Sequence, residues 1–150
     1  MKVVLGADSA GFQMKEKIIA HLKERGIETV DVGAYNAESS HYPEFAYKVA
    51  TTVASKDADF GILVCGTGIG MSIAANKVKG IRASVCSEHF SARYTRLHND
   101  ANVLCLGARV IGEGIAIELV DIFLDTEAEG GRHALRVDMI SDIEAGTYNI

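Results

Sequence analysis

Residues Leu63 to Lys77 read LVCGTGIGMSIAANK: an apolar run, a cysteine, three glycines at alternate positions and the start of a helical pattern. Cys65 closes the run. Gly66, Gly68 and Gly70 remove three Cβ atoms just beyond it, so the backbone can turn sharply and approach a ligand. A helix beginning there presents unpaired N–H groups and the positive end of its dipole, which suits an oxyanion. The same field favours a thiolate over a thiol. A thiolate beside donors for an oxyanion can move a proton on carbon or attack a carbonyl. The bland alternative for Cys65 is a small apolar residue ending a strand. That role is assigned to Cys86 and Cys105, each of which also closes an apolar run.

Two phosphate-binding loops fit this stretch less well. The spacing is GxGxG, not GxGxxG, and it follows the third apolar run instead of the first. Glu88 lies only at a roughly suitable distance for the acidic residue of a dinucleotide site. A P-loop would need GK[ST], and Lys77 comes too late. The third possibility is an anion hole for a reaction intermediate, with Cys65 and Thr67 as its side-chain participants.

Other polar residues fall near expected strand ends. Asp8 and Ser9 follow the first strand, His98 and Asn99 end the helix after the fourth, and Arg109 follows the fifth. Arg132 and Arg136 are four apart and share a helix face, which suits a phosphate clamp. All are expected to gather at the carboxyl edge of one sheet. His21 is expected on an exposed helix face, and His41, His89 and His133 in loops or near helix starts. No HxxxH, HxH or Cys/His cluster is present, so no metal site is expected.

The elements that must position these residues follow from hydrophobic patterning. Strands are expected at Lys2–Asp8, Ile27–Gly33, FGILVCG, IRASVCS and NVLCLGA. Helices are expected at GFQMKEKIIAHLKERG, at PEFAYKVATTVASK with Pro43 in its first turn, at GIGMSIAANKV, HFSARYTRLHN, GEGIAIELVDIFLD and RHALRVDMISDIEA. The alternation implies right-handed βαβ units: an α/β protein, a three-layer α/β/α Rossmann-like sandwich around a five-stranded, mostly parallel sheet. Ligands in such sheets bind beyond the carboxyl ends of the strands.

At 150 residues, with 48% hydrophobic and 23% charged, the chain reads as one domain over 1–150. A net charge of -5 argues against a generic nucleic-acid surface but leaves room for a local arginine cluster. No apolar run is long enough for a membrane span, and MKVVLGADSAG lacks a signal-peptide pattern. Three widely spaced cysteines point to reduced thiols in a cytoplasm.

Three separated stretches, CGTGIGMSIAANK, GIRASVCSEHFSARYTRLHNDANVLCLGARVIG and EGGRHALRV, closely resemble the ribose-5-phosphate isomerase B family, which includes galactose-6-phosphate isomerase subunits. The resemblance spans nearly the whole chain. It implies a homodimer or dimer of dimers with active sites at the subunit interface, isomerising aldose and ketose phosphates without metal or organic cofactor. By position, it implies that Cys65 is the base that moves a proton between C2 and C1 through a cis-enediolate. Thr67 and the backbone N–H groups of Gly66, Gly68, Ile69 and Gly70 would hold the enediolate oxygen. His98, assisted by Asp8, would open the sugar ring, and Asn99 would hold hydroxyls. Arg132, Arg136 and Arg109 would bind phosphate, and Tyr42 would lie near the site. Where the family commonly reads Asp-His, this chain reads Asp8-Ser9, and serine cannot carry charge. The resemblance implies ribose 5-phosphate as the preferred sugar, and Ser9 keeps open a hexose such as galactose 6-phosphate or allose 6-phosphate as the alternative. A non-catalytic sugar-phosphate-binding partner subunit is the more distant one.

Overall fold

The computed structural model describes residues 1–149. Five strands and six helices alternate: β1 (Lys2–Ala7), α1 (Phe12–Glu24), β2 (Glu28–Asp31), α2 (Tyr42–Ala54), β3 (Phe60–Cys65), α3 (Ile69–Ala75), β4 (Ala83–Val85), α4 (His89–Asn99), β5 (Val103–Gly107), α5 (Glu113–Asp125) and α6 (Arg132–Ala145). Every pairing is parallel and the strand order is β2-β1-β3-β5-β4. The sheet is wholly parallel, a step beyond the expected mostly parallel one. The fourth strand is shorter than its pattern suggested: only Ala83–Val85 pair, so Cys86 lies just past its end.

The central strands are covered on both faces, which is why they read as continuous Val, Ile and Leu. Alternate residues separate into two cores. Val3, Leu5, Ile62, Val64, Leu104 and Leu106 meet the buried sides of α1, α4 and α5. Val4, Leu63, Cys65, Val103 and Cys105 meet α2 and α3. Cys105 sits in the middle of β5, not at its end, and is fully buried among these apolar neighbours. The sixth helix contributes only His133 to the interior and rests on α4. No helix of the described residues is long and apolar enough to cross a membrane.

A buried cation sets the carboxyl end of β1. Lys15 is fully buried, and its Nζ donates to Asp31 Oδ1 at 2.6 Å and to the Ala34 carbonyl at 2.8 Å. The segment it holds runs on from β2 and pairs with the end of β1: the Ala7 N–H donates to the Gly33 carbonyl and the Ala34 N–H to the Ala7 carbonyl, both at 2.7 Å. Asp8 leaves the sheet from this fixed point. His21, expected on an exposed face, is instead half-buried, with Nε2 2.7 Å from Asp121 Oδ1 where α1 packs on α5. Lys15→Met removes the ammonium and strands its carboxylate and carbonyl partners, so it should lower the unfolding free energy by about 2–4 kcal/mol in urea titrations. A loss under about 1 kcal/mol would mean that water replaces the ammonium at this site.

Candidate active site

The loop after β3 is built against the neighbouring strand. Gly68 has φ +79°, and a Cβ there would lie 3.1 Å from the Leu106 backbone, so the αL turn and the close approach both require glycine. A Cβ on Gly70 would lie 2.8 Å from the Tyr42 ring. These two missing Cβ atoms therefore allow the loop to pack on β5 and under Tyr42. Gly66 lies beneath Arg109, whose Cδ would be 3.5 Å from a Cβ at that position. The Ala108 and Arg109 N–H groups donate to the carbonyls of Cys65 and Gly66 at 2.8 and 3.0 Å, stitching the ends of β3 and β5 together.

Within the loop, the donors divide into used and free. The Gly68 N–H donates to Cys65 Sγ at 3.1 Å, and the Ile69 N–H to Thr67 Oγ1 at 3.2 Å. Neither is available to a ligand in this arrangement, contrary to expectation. The Gly70 and Met71 N–H groups, in the first turn of α3, have no acceptor among the described residues. Met71 was missed in the sequence because its side chain is apolar and fully buried; only its backbone faces the loop's chemistry. Cys65 is 5% exposed at the end of its strand, with a donor aimed at its sulfur. The other two thiols are held protonated: burial, with Glu88 adding, pushes Cys86 up to about 11, and burial raises Cys105 well above the ordinary value. Glu88, considered above for a dinucleotide ribose, caps α4 instead, accepting from the Phe90 and Ser91 N–H groups at 2.6 and 2.8 Å.

Asp8, Ser9, Tyr42, Thr67 and Arg109 share this carboxyl edge. Asp8 Oδ1 accepts from the Ala10 and Gly11 N–H groups at 2.9 and 3.0 Å and so shapes the entry to α1. The Ser9 N–H donates to Ser40 Oγ at 3.2 Å. Tyr42, Thr67 and Ile69 are exposed, which leaves the loop open on one side.

The remaining predicted residues lie elsewhere, which corrects the expectation of one common edge. A helix that follows a parallel strand runs back antiparallel to it, so the last residues of α4 reach the amino edge of the sheet. Arg82, just before β4, donates from Nε to the carbonyls of Asn99 and Asp100 at 3.0 Å, tying this helix end to the amino ends of the strands. His98 and Asn99 are thus at the far end of the sheet from Cys65, separated by at least the length of β5, roughly 15 Å. Arg132 and Arg136, on α6, stay with His98. Neither they nor Arg109 pair with a carboxylate among the described residues.

The His98 end carries a compact cluster. The His98 and His133 rings stack with centroids 3.9 Å apart and planes 4° from parallel. Glu129 Oε2 lies 3.6 Å from His98 Nε2 and 3.3 Å from His133 Nε2. Burial, then the charge of His98, lowers the His133 pKa below the usual imidazole value, and Arg132 and Arg136 act the same way against Glu129. His98, Glu129 and His133 bring three possible metal-ligand atoms within 4.8 Å of one another. Parallel rings, however, send their in-plane lone pairs side by side instead of converging them on one ion. The Arg132 Nε also sits 3.4 Å from His133 Nε2, placing a fixed positive charge there. The cluster fits an imidazole–carboxylate stack and does not fit a cation cage.

Two polar clusters therefore occupy opposite edges of one sheet: a thiol near N–H donors with no acceptor among the described residues, and an imidazole near arginines with no carboxylate partner among them. The sequence pattern of the Ribose/Galactose Isomerase family matches residues 3–140, and the chain belongs to that family. It is 52% identical over 143 residues to Ribose-5-phosphate isomerase B of Escherichia coli, covering 95% of this chain and 96% of that one. A solved structure of Clostridium thermocellum Ribose-5-Phosphate Isomerase B superposes with a TM-score of 0.96 at 51% identity, covering 97% and 99% of the two chains. Ribose-5-phosphate Isomerase B from Mycoplasma genitalium, solved with bound Ribulose-5-phosphate, gives a TM-score of 0.92 at 41% identity, covering 96% of each chain.

With two thiols held protonated and one facing a donor, alkylation of the native protein should be selective. Iodoacetamide at pH 8 should modify Cys65 first, as mapped by peptide mass spectrometry. First modification at Cys86 would show that the loop sulfur is not the reactive one.

Proposed function

We propose that this chain interconverts ribose 5-phosphate and ribulose 5-phosphate through a cis-enediolate, in a site that two copies complete together. The carrying observation is the Cys65 sulfur at a strand end, held by the Gly68 N–H, with the Gly70 and Met71 N–H groups free beside it. In this scheme His98 gives a proton to the ring oxygen as the anomeric hydroxyl loses its own, with Asp8 assisting. The Cys65 thiolate then takes the C2 proton. Charge develops on O1, where Gly70, Met71 and the Thr67 hydroxyl donate to it. Transfer of the O2 proton to O1 and return of a proton to C1 give the ketose. Asn99 holds sugar hydroxyls, and Arg132, Arg136 and Arg109 hold the phosphate.

The half-sites are a strand's length apart within one chain, and no side-chain motion spans that distance. A two-fold partner supplying its His98, Asn99 and arginines to the Cys65 loop removes the difficulty. Exposed apolar residues support such a partner: Leu135, Ile140 and Ile143 on α6, and Ile69 and Ile73 on α3. The assembly is a homodimer, alone or paired as a dimer of dimers. Three unpaired thiols suit the cytoplasm. A second substrate, a hexose 6-phosphate, is kept open by one residue: Ser9, small and uncharged, follows Asp8 at the carboxyl edge.

Mixing two inactive variants tests the shared site. Cys65→Ser and His98→Asn should each lose most of kcat. When their subunits are exchanged, the mixture should recover about a quarter of wild-type turnover, because half the dimers are mixed and each mixed dimer has one intact site. No recovery after verified exchange would place both residues in one chain's site. A higher kcat/KM on a hexose 6-phosphate than on ribose 5-phosphate would move the assignment to the second substrate.

A further inference from the structure

His98 stands on the last turn of α4, and its side chain is 36% exposed. An imidazole there would ordinarily sample several rotamers. General acid–base transfer requires it within about 2.6–3.2 Å of the proton's partner. The structure holds it in two ways. Tyr94, one turn earlier, meets it edge-to-face with centroids 4.8 Å apart and planes at 75°. His133 lies parallel to it at 3.9 Å. His133 is itself only 5% exposed, the one buried residue of α6.

The platform is anchored from behind. The Glu129 N–H donates to the Leu97 carbonyl at 3.0 Å, pinning the turn before α6 to the last turn of α4. The His133 N–H donates to the Gly130 carbonyl at 3.0 Å, and Arg132 Nε reaches His133 Nε2 at 3.4 Å. A hollow of about 190 Å³ adjoins both rings, lined also by Leu97 and Val137, so without the platform the His98 ring has space to turn into. His133 is enclosed and occupied, which makes it a support and not a second proton donor.

We propose that His133 is a positioning residue for His98: its flat, buried ring fixes the plane of the imidazole that opens the sugar ring. This rests on the ring-opening role given to His98 above. A small misplacement of an acid–base group costs about tenfold or more in turnover. His133→Ala should therefore lower kcat on ribose 5-phosphate about tenfold, with KM held within about twofold because Arg132 and Arg136 keep the phosphate. His133→Phe, which restores a flat stacking face, should return kcat to within about threefold of wild type. In a double-variant cycle, adding His133→Ala to His98→Asn should cost nothing further, because the ring being positioned is already gone. Melting transitions establish that each variant is folded, and His133→Ser replaces His133→Ala if the latter is not. Wild-type kcat in His133→Ala, a selective rise in KM, failure of folded His133→Phe to rescue, or losses that multiply in the double variant would each overturn the proposal. Wild-type kcat in His98→Asn would instead strike the ring-opening role on which it rests.

Discussion

The direction in which a helix returns after a parallel strand governs everything else in this protein. Each crossover leaves the sheet at its carboxyl edge and must run back to the amino edge before the next strand begins. Residues at the start of a helix and at its end are therefore presented to opposite sides of the molecule. The start of α3 carries the free N–H groups beside Cys65, and the end of α4 carries His98 and Asn99. One chain consequently presents two separate polar surfaces, one at each edge of its sheet.

Three cysteines in one small domain show how position decides reactivity. Cys105 is enclosed in the second core, where burial keeps its thiol neutral. Cys86 is buried past a short edge strand, with the Glu88 carboxylate working in the same direction. Cys65 shares the second core with Cys105 but ends its strand where the chain turns, and it gains a backbone donor from the turn. The glycines that make the turn serve packing first: Gly68 clears the backbone of β5 and Gly70 clears Tyr42. The free donors at Gly70 and Met71 follow from that packing, since it fixes where α3 begins.

The far surface is organised by a different principle. Arg132 and Arg136 have no carboxylate partner among the described residues, while the His98 and His133 rings are stacked beside Glu129. Unpaired guanidinium groups suit an incoming phosphate. A buried imidazole suits the support of another ring. Arg132 and Arg136 are exposed, whereas His133 is held still by burial and stacking.

Much of this was legible in the sequence. Five apolar runs alternating with amphipathic segments specify the strands and helices, because periodicity and turn chemistry act over a few residues. The cysteine, the alternate glycines and the arginine pair likewise mark the chemistry by type and spacing. Only the tertiary structure decided which of these residues meet. It placed His98 and Cys65 at opposite edges, spent the Gly68 and Ile69 donors inside the loop, and left those of Gly70 and Met71 free. It also buried His133 against His98, across 35 residues of chain that no local pattern connects. The physical reason is common to all of these: hydrogen-bond partners, burial and the edge a residue reaches depend on the path of the chain through space, which local spacing does not encode.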